Sequence, residues 1–278
     1  RTEIEYGSSA HQDNDFLPFV VPVVKSVTAR DNFSGNSYRT EYSYREGLWD
    51  GEDREFRGFG IVTVQDPAGN RSVSHFLQDD IYKGRMSSQE VFNNDGTSTA
   101  AISNWDNQDL GNGVKFVFLR RSLSLLYRNN ASVKATAQEF FYEETPQLGN
   151  LTKVINFGEV DPAAHTDIGT DSRTIETQYL NNTTGTNRLI GLPKQTVVKD
   201  HFQNEMRKSW FWYDNNPNLN DLPTRGLLTK KEDWNNNSQG HANNPVSRYS
   251  YDVWGNLRTT TDARNKVTTI TYDPAYNL

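Results

Sequence analysis

The chain has 278 residues, with 29 Lys and Arg against 35 Asp and Glu and a formal charge of −6. Interspersed charges with a mildly acidic balance argue against non-specific nucleic-acid binding, which needs a basic surface. The absence of Cys excludes disulfides and thiolate metal sites.

The length suits one large or two modest domains. No stretch approaches the roughly 18–20 apolar residues of a membrane span; the longest apolar run, Phe16–Val24, is interrupted by Pro18 and Pro22. The chain begins at Arg1 and stops at Leu278 just after a turn signal, so it reads as an excised piece of a longer protein. Tyr, Phe and Trp make up 12% of the residues and supply large apolar area to an otherwise hydrophilic chain.

In chain order, strand-period alternation dominates. Tyr38, Thr40, Tyr42 and Tyr44 share one face of a first strand. An acidic turn at Trp49–Asp53 leads to a second strand through Ile61–Val64. Val114, Phe116 and Phe118 align in another. Phe118–Arg128 carries either a helical stripe (Leu119, Leu123, Leu126) or a continued alternation, and the reading favours the strand. In Arg207–Tyr213, Lys208, Trp210 and Trp212 oppose Ser209, Phe211 and Tyr213. Thr268, Ile270 and Tyr272 share a face near the end.

Turn-forming runs separate these strands at Asp66–Asn70, Asn93–Gly96, Asp109–Gly113, Asn181–Asn187 and Asp214–Pro223. Asn, Asp and Gly tolerate positive φ there, and Pro presets a turn. Asp161–Ser172 and Asn235–Val246 read as longer loops between hairpins. The fold class is all-β.

A repeat emerges towards the end. Tyr251-Asp252 and Tyr272-Asp273 lie 21 residues apart, and Asn256-Leu257 and Asn277-Leu278 follow at the same offset. Looser copies start at Tyr142, Tyr179 and Tyr213. The unit is an aromatic strand ending in Tyr-Asp, a Gly or Asn turn, and a strand opening on Leu. One hairpin cannot bury its own apolar face; stacked hairpins bury it jointly.

These residues carry a resemblance. YDVWGNLRTTTDARNKVTTITYD resembles the Rhs/YD repeat, and Tyr42–Asp66 followed by His75–Gly96 resembles the middle region of the B component of insecticidal toxin complexes (TcB/TcdB-like, SpvB/TcdB-type). The resemblance covers Tyr38 to Leu278, with Arg1–Ser37 attached by continuity. It implies antiparallel β-hairpin repeats in a curved sheet strip, part of a hollow shell that encloses a cytotoxic polypeptide. It implies a B-component middle-region β domain over residues 1–140 and a YD-repeat strip over 141–278. It also implies a secreted bacterial protein, partnered by a C component and its enclosed toxin, with an A-component channel docking elsewhere. The motif residues would be Arg54, Glu55, Phe56, Arg57, Gly58, Phe59 and Gly60, then Tyr251, Asp252, Gly255, Asn256, Tyr272 and Asp273.

Asp50, Glu52, Asp53 and Glu55 form an acidic cluster, but glycosidase chemistry needs two carboxyls flanking a cleft and a Ca²⁺ loop needs regularly spaced oxygens. The cluster reads as a hairpin turn whose acids face Arg45, Arg54 and Arg57, with Ca²⁺ binding by Asp50, Glu52 and Asp53 as the open alternative. His11, His75, His165, His201 and His241 lack zinc spacings. Gly58–Gly60 lacks the spacing of a phosphate loop and reads as a bulge or a close approach. Trp210 and Trp212 are candidate glycan contacts in a second reading, a carbohydrate-binding or adhesion module. Asn150, Asn181 and Asn182 sit in N-x-Ser/Thr patterns. No catalytic residue, metal or cofactor is expected.

Overall fold

In a computed structural model the described residues are all except 130, 145–147, 187, 236–240, 242 and 274–278. Asn277-Leu278, the second half of the final repeat, lies outside them. Seventeen strands and a single three-residue 3-10 turn, Ser9–His11, are present among the described residues, with no α-helix. Every pairing with a residue register is antiparallel. The chain is all-β, and Phe118–Arg128 is strand. The chain divides into two compact units: Arg1–Glu139 with Phe157–Gly169, and Phe140–Asn156 with Thr170–Leu278.

The first unit runs through β1 (Thr2–Ser8), β2 (Pro22–Arg30), β3 (Ser37–Asp50), β4 (Glu55–Gln65), β5 (Arg71–Phe76), β6 (Met86–Phe92), β7 (Thr97–Gly111), β8 (Val114–Arg128) and most of β9 (Ala131–Tyr142). Consecutive strands pair as a meander. The β7–β8 hairpin closes on Asn112-Gly113, at φ 52° and 78°. Those positive angles are what a two-residue primed turn requires, and Asn-Gly supplies them at least cost.

The core of this unit follows from period two. Ala100, Leu125 and Ala135 are opposed across β7, β8 and β9, and Ile102, Leu123 and Ala137 lie two residues along on the same face. Val160, fully buried, closes over them. The Asp161 carboxylate accepts the amides of Ala163 and Ala164 at 2.9 and 2.6 Å, shaping the loop that follows. The Arg121 guanidinium donates to the His165 carbonyl and lies over the Phe157 ring. The predicted loop at Asp161–Ser172 thus begins as a lid on an apolar sheet face.

The loop between β1 and β2 does a second job. β2 stops pairing with β3 at Ser26↔Glu41, leaving the rest of β3 without that neighbour. Backbone amides cannot stay unpaired when covered. Asp13 and Phe16 carbonyls accept from Glu46 and Trp49 at 2.7 and 3.0 Å. Asn14 Oδ1 accepts from Gly47 at 2.7 Å, and Gln12 accepts from Tyr44. An irregular segment therefore stands in for a strand.

The second unit holds the remaining strands: the Leu151–Asn156 part of β10 (Leu151–Val160), then β11 (Arg173–Asn182), β12 (Leu189–Lys199), β13 (Glu205–Tyr213), β14 (Leu228–Asp233), β15 (Val246–Tyr251), β16 (Leu257–Thr261) and β17 (Val267–Thr269). Its buried set mixes apolar residues (Leu180, Val197, Trp212, Tyr213) with polar ones (Asn150, Thr174, Asn182, Ser209, Thr229, Glu232). Burying so many polar groups is tolerable only where each is hydrogen-bonded.

Candidate functional site

The stretch Tyr42–Asp66 forms the β3–β4 hairpin, turning at Gly51–Arg54. The Asp50 carboxylate accepts the amides of Glu52 and Asp53 at 2.8 and 3.0 Å, an Asx-type turn. Arg54 sits at φ 53° in the same turn. Beyond it, Arg57 carries the charge balance. Its side chain is 6% exposed, and Nη2 faces Asp50 at 2.5 Å, Asp53 at 3.0 Å and Asp80. Nη1 donates to the Gln78 carbonyl at 3.0 Å. Lys83 pairs with Glu55 alongside.

Asp50, Asp53 and Asp80 are close enough to share a metal ion. The guanidinium, however, already occupies the place a cation would take. The Asp50 carboxyl is held below the usual range, first by the Asp53 amide; burial opposes, and the Glu52 amide and the Arg57 and Lys83 charges add to the lowering. The cluster's partners differ from those expected from sequence. Arg45 and Arg54 make no ion pair among the described residues, Glu52 contributes its backbone amide, and the third carboxylate is Asp80, from the loop between β5 and β6.

The other motif residues have distinct tasks. Phe56 and Phe59 meet edge-on at 5.5 Å, within a cluster that includes Tyr44, Phe19 and Trp49. Gly58 adopts φ 81°. Gly60 is a close approach: a Cβ there would lie 2.8 Å from Glu46 Oε2 and 3.0 Å from Gln78 Oε1. Gln78 in turn donates to the Glu46 and Gly58 carbonyls at 2.9 and 3.0 Å. This site is a structural knot that joins a hairpin to the loop after β5.

The repeat tyrosines use a second device. Tyr251 donates its hydroxyl to Leu228 O at 2.8 Å, Tyr213 to Pro193 O at 2.9 Å and Tyr179 to Leu151 O at 2.8 Å. Each tyrosine latches its strand to the one before it. Burial raises the phenol pKa in all three, to about 12 for Tyr213.

The following Asp builds the turn. Asp252 Oδ1 accepts the amides of Trp254 and Asn256, both at 2.9 Å, with Gly255 at φ 91°. Asp66–Asn70, Asp200–Asn204 and Asp262–Lys266 close in the same way, with Gly69, Gln203 and Asn265 at positive φ. From sequence this turn is expected after Tyr-Asp. The wider signal is D-x-x-(Gly, Gln or Asn)-(Asn or Lys), which needs no tyrosine. Tyr272 and Asp273 lie beyond β17.

Asp214 is the variant with an insertion. Its carboxylate accepts four amides, from Thr224 and Arg225 at 2.8 Å, Gly226 at 3.1 Å and Leu227 at 2.9 Å. Burial works to raise its pKa, yet the amides win and the net shift is downward.

The two candidate glycan contacts differ in burial. Trp212 is 8% exposed and has the Lys230 ammonium 3.3 Å from its ring centroid. Trp210 is half-buried, with its ring 4.6 Å from that of His241. His241 pairs with the buried Glu232 carboxylate. Ser209 and Tyr213, on the opposite side of β13, are buried as well. Asn150 and Asn182 are buried in hydrogen bonds to Glu143 and to the Pro223 carbonyl, so neither is an open acceptor.

Residues 1–90 match the family model of the insecticide toxin TcdB middle/N-terminal region. The match takes in Arg1–Ser37 and includes the whole Arg57 knot. In fold, the chain is similar over 100% of its length to the crystal structure of TcdB2-TccC3-TEV, at TM-score 0.71 and 14% identity, covering 21% of that chain. TcdB2-TccC3 without its hypervariable C-terminal region gives TM-score 0.68 at 14% identity, over 99% of this chain and 22% of that one. The Photorhabdus luminescens Tc holotoxin pore carrying TccC3-D651A gives 0.66 at 13%, over 98% and 22%. The chain thus spans between a fifth and a quarter of the length of these structures. No curated protein matches it. In sequence at its start and in fold throughout, it resembles the TcdB-like B component of insecticidal toxin complexes.

Proposed function

We propose that this chain is a scaffold segment of a secreted bacterial toxin complex of the B-component type. It forms part of the wall of a shell that encloses and delivers a cytotoxic cargo. Residues 1–140 serve as the middle-region domain and residues 141–278 as the YD-repeat strip. The partners are a C component with its enclosed toxin, and an A-component channel that docks on other parts of the protein. The role needs no catalysis, cofactor or metal.

The observation that carries this reading is the family match over residues 1–90, which contains the Arg57 knot. The knot's chemistry is in keeping with it. Its three carboxylates gather on one buried guanidinium, an arrangement that ties a hairpin turn to a neighbouring loop. The carbohydrate-binding alternative finds no support in the buried Trp212.

Electron microscopy of the full-length protein with a C component tests the proposal. A closed hollow shell with this segment in its wall is expected. A solid, filled fold without a lumen overturns it.

A further inference from the structure

The β13–β14 loop (Asp214–Leu227) and the β15–β16 turn (Asp252–Asn256) lie on the same edge of the second unit, because two strand reversals separate them. The turn projects two apolar side chains into solvent: Val253 is 80% and Trp254 77% exposed. The inserted loop adds Leu222 at 48%. An exposed Trp beside Val is unusual on a hydrophilic chain, and such features mark interaction sites.

The backbone beneath is fixed. Asp252 accepts the amides of Trp254 and Asn256. Arg225 anchors its own amide on Asp214 and donates Nη2 to the Val253 carbonyl at 3.1 Å, tying loop to turn. Pro223 is buried, and its carbonyl accepts from Asn182 at 2.8 Å. A tip held this way loses little freedom on binding.

The carboxylates of Asp214, Asp221 and Asp252 accept bonds within their own loops. The Arg225 guanidinium has five N–H donors; Nη2 bonds to Val253 O, and Arg225 makes no ion pair among the described residues. Arg188, exposed in the β11–β12 connection on the same edge, makes no ion pair among the described residues either. Rigid Trp with neighbouring Arg is the pairing found at interface anchors.

We propose that this edge is a docking site for an acidic peptide segment of a partner protein, with Trp254 entering an apolar contact and Arg225 receiving a carboxylate. Nucleic acid, though also anionic, fits less well. Its phosphates gain nothing from Val253 or Leu222, and the chain is itself acidic.

Fluorescence anisotropy on the intact chain provides the test, with a labelled peptide of alternating Glu and Leu as probe. Binding that weakens with added salt is expected. Trp254→Ala and Arg225→Gln should each reduce affinity about tenfold or more, and Trp254→Ala should leave the melting temperature unchanged because the side chain is exposed. Equal binding of a Lys-Leu peptide, or unchanged affinity in both variants, overturns the proposal. Tighter binding of an oligothymidylate through the same residues, or self-association abolished by Trp254→Ala, overturns it in favour of nucleic acid or a second copy.

Discussion

Arg57 Nη2 lies 2.5 Å from Asp50 Oδ2, with Asp53 and Asp80 on the same nitrogen. One buried cation therefore serves three carboxylates that would otherwise repel each other. Replacing it with Ala should lower the melting temperature more than an ordinary surface substitution, since like charges are left facing without a counter-ion. It should also open the place a metal could take. Ca²⁺ is expected to raise the melting temperature of Arg57→Ala and to leave that of the parent unmoved. Thermal scans with Ca²⁺ and with chelator check this; a parent that responds to Ca²⁺ would show that the ion and Arg57 do not compete.

Gly58 and Gly60 sit two residues apart and should fail for different reasons. Gly58 has open space around its missing Cβ but a φ of 81°. Gly58→Ala should cost about 1–2 kcal/mol, and Gly58→Asn less, because Asn tolerates the left-handed region. Gly60 has no positive φ, but an added Cβ meets Glu46 and Gln78. Relief would move Gln78 off the two carbonyls it bonds, so both Gly60→Ala and Gly60→Asn should destabilise. Urea titrations of the four variants separate the mechanisms: rescue by Asn at 58 and none at 60.

Strand positions were legible because period-two alternation and Asn/Asp/Gly turns act within a few residues of chain. Phe118–Arg128 shows the limit of that signal: its leucines fit two periods, and the pairing of Leu123 with Ala137 decides for the strand. The Arg57 knot was legible only in part. Asp50 and Asp53 are local, but Asp80 is 23 residues from Arg57, and no pattern marks it. Arg45 was expected to pair and makes no ion pair among the described residues. Gly60 was readable as a close approach, but not what it approaches. Burial of Trp212 agrees with alternation in a covered sheet, the reading weighed against a glycan contact, although alternation itself says only which residues share a face.

The Tyr213 hydroxyl donates to Pro193 O, and its phenol pKa is pushed up to about 12 by burial. Tyr213→Phe should cost about 1 kcal/mol, the worth of one such bond. The pH sign follows from the shift. Unfolded tyrosine loses its proton near pH 10, while the folded phenol keeps it to about 12. Between those values the unfolded state binds fewer protons, so stability falls as pH rises. The contribution is fully present below pH 10. Alkaline denaturation monitored by circular dichroism should therefore be less steep in Tyr213→Phe than in the parent over this window. Identical slopes would mean that the phenol ionises freely in the folded state.

Asp214 offers the opposite sign. Its four amide partners, Thr224 to Leu227, fix both ends of the inserted loop, and the net pKa shift is downward. An Asn at this position keeps one carbonyl acceptor and brings an NH₂ against N–H groups. Asp214→Asn should thus cost about 2 kcal/mol at neutral pH, as expected for bonds to a charged acceptor. A lowered carboxylate pKa stabilises above the unfolded value, near 4, and that stability is lost as pH falls through the folded value. The variant should lie below the parent at pH 7 and approach it as pH drops under about 4. Because Arg225 is anchored on this carboxylate and reaches Val253, the loss should extend to the β15–β16 turn. Hydrogen exchange at the Trp254 and Asn256 amides checks that: faster exchange in Asp214→Asn than in the parent is expected, and unchanged rates would show that the two turns are independent.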